Sequence, residues 1–129
     1  MTTLVIVDDE SLVTEFLSFL LNGAGYEVHA AFNGRDAIAL IERQRPALVI
    51  TDLMMPVMSG LGLAKAIRHH DELAQLPIIL CSSAPDPVTP EESLMFSAIL
   101  RKPYPPNRLL ELVTRFAGEA EPGVGAGDR

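Results

Sequence analysis

Three carboxylates, one hydroxyl and one ammonium group stand at matching places along the chain. Asp8 and Asp9 directly follow the apolar run LVIV at residues 4–7, and Asp52 directly follows ALVIT at 47–51. Ser82 closes IILCS at 78–82, and Lys102 comes just after AIL at 98–100. If the runs lie side by side, all five polar side chains gather on one edge. Three carboxylates held that close repel one another and raise each other's pKa unless a cation compensates. A hard divalent cation suits them: Mg2+ takes octahedral oxygen coordination with few carboxylates and several waters, so positions stay open for phosphoryl oxygens. Asp9 and Asp52 are then the expected direct ligands, with Asp8 helping through water. Asp52 can act as a carboxylate nucleophile and form an acyl phosphate, while Lys102 and Ser82 hold the phosphoryl oxygens.

That chemistry requires a scaffold that sets the five residues at neighbouring strand ends. The runs at 4–7, 28–31, 47–51, 78–82 and 98–100 are short and rich in β-formers. Between them lie segments of helical spacing: Leu12, Val13, Phe16, Leu17, Leu20 and Leu21; then Ala37, Ile38, Leu40 and Ile41; and last Leu109, Leu110, Leu112, Val113 and Phe116. Boundaries have local causes. Ser11 or Glu10 begins the first helix, Gly23 and Gly25 end it, Asn33 caps the second, and Pro46 marks the return to strand. Nearly continuous apolar strands alternating with helices imply a parallel sheet covered on both faces, with right-handed crossovers. The expected architecture is therefore α/β: a doubly wound (βα)5 fold with a five-stranded parallel sheet. Ligands of such sheets bind outside the carboxyl ends of the strands, at a topological switch point.

The strand-end pattern VDDE, the segment TDLMMPVMSG, Ser82 and the Lys102–Pro103 pair resemble the receiver domain of two-component response regulators. The resemblance covers about residues 3–117 and implies the flavodoxin-like receiver fold. It implies that Asp52 is phosphorylated by a sensor histidine kinase or a histidine phosphotransfer protein. Asp8, Asp9, Asp52 and the backbone carbonyl of Met54 would hold Mg2+ (or Mn2+). Ser82 corresponds to the switch hydroxyl and Lys102 to the phosphate-sensing lysine, and the Lys102–Pro103 peptide is expected to be cis. Pro56 and Gly60 match the turn after the acceptor. The position two beyond the acceptor faces the site in the family, so an apolar Met54 implies slow self-dephosphorylation. Ile99 stands where many receivers carry the Tyr or Phe that turns inward with the switch hydroxyl, so that relay departs from the family pattern.

The remaining composition narrows the function further. At 129 residues the chain suits one domain, and 48% apolar with 21% charged residues suits a globular core. A formal net charge of -7 without basic patches argues against direct nucleic-acid binding. The N-terminus has no secretion signal and no run is long enough to insert in a membrane, so a cytoplasmic location is expected. Cys81 reads as core filler, His29, His69 and His70 as ordinary polar residues, and Met54, Met55 and Met58 as packing or a partner surface. Prolines 85, 87 and 90 require the fourth helix to be short, late or irregular. Residues 1–117 form the expected receiver domain; residues 118–129, GEAEPGVGAGDR, read as a flexible acidic Gly-rich tail with no effector domain.

These features predict a phosphorylation-dependent switch, not an enzyme with external turnover, that signals through an unidentified downstream protein. Two rivals share some features. A receiver-like docking module would keep the fold with weakened switching, as Ile99 and the prolines suggest. A phosphatase of the haloacid-dehalogenase type also combines Asp, Mg2+, Ser/Thr and Lys, but resembles DxD at the nucleophile, whereas Leu53 and Met54 follow Asp52.

Overall fold

A computed structural model describes residues 1–83 and 88–120. Five strands and five helices alternate strictly: β1 (Thr3–Val7), α1 (Ser11–Gly23), β2 (Glu27–Ala31), α2 (Gly34–Gln44), β3 (Leu48–Asp52), α3 (Gly60–Arg68), β4 (Ile78–Ser83), α4 (Pro90–Ser93), β5 (Ala98–Lys102) and α5 (Pro106–Ala117). The strands form one parallel sheet in the order β2-β1-β3-β4-β5. The expected architecture is the observed one. From β1 the chain goes first to β2 on one side and then to β3 on the other, so the winding reverses between β1 and β3.

Strand alternation sends neighbouring residues to opposite faces, and both faces are apolar because both are covered. Val5, Val49 and Leu80 pack with Ala37 and Ile41 of α2 and with Leu63 and Ile67 of α3. Leu4, Ile50 and Ile79 pack with Leu17 and Leu21 of α1 and with Leu109 and Val113 of α5. Helix ends follow local chemistry. The Asn33 side chain accepts the Asp36 N–H at 2.8 Å, and Ser59 accepts the Gly62 N–H at 3.2 Å. No side chain caps α1 at Glu10.

Three expectations need correction or extension. The apolar stripe of α1 is only partly buried: Leu17 and Leu21 face the sheet, whereas Leu12 and Phe16, both expected in the stripe, are exposed, as is Phe19. This helix is apolar on two sides, so periodicity alone did not separate the core face from the outer one. The fourth helix is both short and late, a single turn beginning at Pro90 with a Thr89–Glu92 capping box. Proline is tolerated there because the first helical N–H has no partner to lose; Pro85 and Pro87 lie outside the described residues. The packed domain also runs past Ala117: the Tyr26 hydroxyl donates to the Gly118 carbonyl at 2.8 Å, and Ala120 packs on the α1/α5 side of the core. Residues 121–129 of the expected tail lie outside the described residues.

Candidate functional site

The parallel register brings the carboxyl ends of β1, β3, β4 and β5 to a common edge. Val7 pairs with Thr51 and Asp52 with Cys81, so Asp8 and Asp9 emerge beside the end of β3. Asp8 is buried, and its Oδ1 accepts the Glu10 N–H at 2.9 Å. Asp9 is exposed and Asp52 is intermediate. One oxygen from each of Asp8, Asp9 and Asp52 lies within 4.8 Å of the other two, the only such group of three candidate ligands among the described residues. Lys102 reaches this cluster as the last residue of β5 and not, as expected, just beyond it. Its Nζ donates to Asp52 Oδ1 at 3.1 Å and stands 3.6 Å from Asp8 Oδ2.

Burial pushes the Asp8 carboxyl above its usual range; the Glu10 N–H opposes this, the Asp52 charge adds to it, Lys102 opposes it and Asp9 adds to it. For Lys102, burial acts downward, but the hydrogen bond to Asp52 and the charges of Asp52 and Asp8 hold the ammonium above its ordinary value. Three carboxylates against one ammonium leave the site with net negative charge. That imbalance, all-oxygen donors and an open, exposed Asp9 together fit a hard divalent cation.

The other expected site residues are placed as follows. Ser82 lies one step beyond the Asp52–Cys81 pair in the ladder, opposite Arg101, and is fully buried. β4 continues one residue past it, to Ser83. Met54 follows Asp52 in the β3–α3 loop with its side chain largely exposed. Ile99 pairs with Leu80 and is exposed. The Lys102–Pro103 peptide is cis, as the resemblance implied. The residues read as ordinary are engaged elsewhere: His29 with Glu27 at 2.7 Å, His70 with Glu42 at 3.2 Å, and His69 Nδ1 with the Lys65 carbonyl at 2.8 Å. Cys81 is buried, which pushes its thiol up to about 11, so it is an inert packing residue at neutral pH.

Tyr104 and Val57 near the site were not singled out from sequence, and Gly60 was singled out only as part of the turn after Asp52. The Tyr104 hydroxyl lies 3.9 Å from Sγ of Cys81, the residue paired with Asp52. Gly60 donates its N–H to the Leu53 carbonyl at 2.8 Å, and a side chain there would collide with the Asp52 carbonyl. Val57, exposed in the same loop, has φ of 70°, a left-handed conformation that costs a β-branched residue on the order of 1–2 kcal/mol. Gly60 was legible as part of the turn after Asp52, but not its close approach to the Asp52 backbone. The strain at Val57 carries no sequence signal, because glycine or asparagine would ordinarily mark such a position.

A sequence profile described as the response regulator receiver domain matches residues 4–114. The phosphate regulon transcriptional regulatory protein PhoB of Pseudomonas aeruginosa is 30% identical over 123 residues, covering 94% of this chain and 54% of that protein. The chain thus spans about half the length of the curated relatives it matches. Among solved structures, the chemotaxis response regulator CheY4 of Vibrio cholerae superposes with a TM-score of 0.81 at 32% identity, covering 90% of this chain and 98% of that one. A response regulator receiver protein from Pseudomonas putida gives a TM-score of 0.79, also at 32% identity, covering 88% and 96%.

Proposed function

The chain belongs to the response regulator receiver domain family, and from that premise we propose that it is a phosphorylation-dependent signalling switch with Asp52 as its phosphoacceptor. The observation that carries this reading is the Asp8–Asp9–Asp52 cluster with Lys102 bonded to Asp52. Mg2+ (or Mn2+), held by Asp9, Asp52 and the Met54 carbonyl with Asp8 acting through water, would offset the carboxylate charge and draw in phosphoryl oxygens.

The remaining work falls to the chain's own side chains. A free Asp52 carboxylate oxygen attacks the phosphorus of a phosphohistidine; the P–N bond breaks, the imidazole leaves with the electron pair, and an acyl phosphate forms. Lys102 already lies on Asp52 Oδ1, so it meets the arriving phosphoryl oxygens without crossing the site. The Ser82 hydroxyl then turns toward another phosphoryl oxygen, and that inward pull alters the surface formed by α4, β5 and α5. Hydrolysis of the acyl phosphate returns the chain to its starting state, so there is no external turnover.

The phosphodonor in this reading is a sensor histidine kinase or a histidine phosphotransfer protein, and output passes to a downstream protein. A net charge of -7 disfavours a direct nucleic-acid role. No helix among the described residues is long and apolar enough to cross a membrane, and we place the chain in the cytoplasm. Residues 1–117, extended by the packed Gly118–Ala120 segment, act as one receiver unit.

The one-turn α4 and the exposed Ile99 favour a second reading, a receiver-like docking module with weakened switching. Beryllium fluoride with Mg2+, a mimic of the phosphoryl group, separates the two. The switch reading expects amide resonances to move near Asp52 and also across residues 82–102. Movement near Asp52 alone would favour the docking module, and no movement in either place would contradict both.

A further inference from the structure

We infer that Gly34, the first residue of α2, is a positioning residue for the divalent cation, acting through Met58 on the loop that follows Asp52. The inference rests on the metal reading above and concerns what holds that loop in shape. The Gly34 N–H donates to the Met58 carbonyl at 3.2 Å. A Cβ built at Gly34 would fall 2.7 Å from that same carbonyl oxygen and 2.8 Å from Met58 Cγ. Gly34 is not among the residues with positive φ. Glycine is therefore not needed for backbone conformation at this position; it is needed because the loop backbone comes so close.

The loop would not keep its shape unaided. Val57, next to Met58, sits in a left-handed conformation that its side chain disfavours. Such a conformation persists only when its surroundings impose it, and here the loop is tied at three points. The Met58 N–H bonds to the Pro56 carbonyl at 2.7 Å, closing a tight turn around Val57. The Gly60 N–H bonds to the Leu53 carbonyl at 2.8 Å, closing the loop on itself. Gly34 supplies the outer tie, from a different element. Met54 lies inside the loop that the Leu53–Gly60 bond closes and four residues before Met58, so pushing Met58 away from α2 displaces the backbone that would present the Met54 carbonyl to the cation. Because linkage is reciprocal, binding of the cation must in turn strengthen the Gly34–Met58 hydrogen bond.

Gly62 provides the internal control. A Cβ there would meet Met58 Cγ at 2.9 Å but not the Met58 backbone, so a flexible side chain absorbs the intrusion. The experiment is an Mg2+ titration of wild type, Gly34→Ala and Gly62→Ala, followed by amide resonances, with melting temperatures measured without metal. Gly34→Ala is expected to weaken Mg2+ binding about tenfold, while Gly62→Ala leaves the affinity unchanged. If Gly34→Ala binds Mg2+ as tightly as wild type, or both variants lose affinity equally, the inference fails even if melting temperatures fall. A second measurement needs no variant: Mg2+ saturation of wild type should slow Gly34 amide hydrogen exchange at least about fivefold, and unchanged exchange overturns the inference. A wild type that binds no Mg2+ overturns the inference and the metal reading together, which distinguishes that failure from the others.

Discussion

At the scale of single residues, Asp8 shows most directly that the site is arranged for binding at a cost to stability. Its carboxylate is buried beside two others with one backbone N–H and a shared ammonium to balance it. The folded pKa is raised, so the folded state binds protons more readily than the unfolded chain, and Asp8 disfavours folding once pH rises through that raised value. Without metal, Asp8→Asn should therefore raise stability by about 1 kcal/mol at neutral pH, a few degrees in Tm. The advantage should shrink as pH falls toward the ordinary value of 3.8, and Mg2+ affinity should drop. A melting temperature lowered by Asp8→Asn at pH 7 would contradict this. Lys102 behaves oppositely: its raised pKa gives stability that is present below 10.5 and lost as pH rises through the folded value. These roles were legible in sequence because strand-end carboxylates and a following lysine are side-chain features. The contributions of Gly60, Gly34 and Val57 were not legible, since they depend on backbone approach and φ.

At the scale of elements, strands were easier to read than helix faces. Each strand came within a residue or two of its expected span because apolar β-formers were bounded by polar residues. In α1, by contrast, Leu12, Phe16 and Phe19 are as apolar as the core residues yet point outward. Thermal unfolding can check that assignment: Leu21→Ala should cost about 3 kcal/mol, whereas Phe19→Ser should stay within about 0.5 kcal/mol of wild type. Arg68 was not foreseen either. Its guanidinium donates to the Ala74 and Leu76 carbonyls at 3.0 and 2.7 Å, and twice to Met95 at 3.1 and 2.7 Å. It thereby joins the end of α3 to the approach to β4 and to the turn before β5. Arg68→Met should destabilise by about 2 kcal/mol by leaving these carbonyls without donors; a loss under half that would mean water replaces the guanidinium. A lone arginine among polar residues gives no sequence hint of such partners, which are all main-chain atoms, 6, 8 and 27 residues away.

At the scale of the whole molecule, the doubly wound order explains why distant residues meet. The winding reverses between β1 and β3, and Asp8, Asp9 and Asp52 stand at that reversal. In the proposed path from site to surface, the one-turn α4 and the aliphatic Ile99 depart from the relay that the resemblance implies. Gly118 and Ala120, placed in the tail by sequence because they contribute little apolar bulk, are held by a hydrogen bond from Tyr26 and by contact with the core. Ending the chain after Ala117 should thus cost about 1 kcal/mol relative to ending it after Ala120, and equal stability would return the limit to Ala117. The central claim is that Asp52 accepts a phosphoryl group with the help of a divalent cation. It is tested most directly by the intact mass of the chain after incubation with Mg2+ and a small-molecule phosphodonor. The account predicts the gain of one phosphoryl group by wild type, lost on chelating the metal and absent in Asp52→Asn. No gain by wild type, or an equal gain by Asp52→Asn, would contradict it.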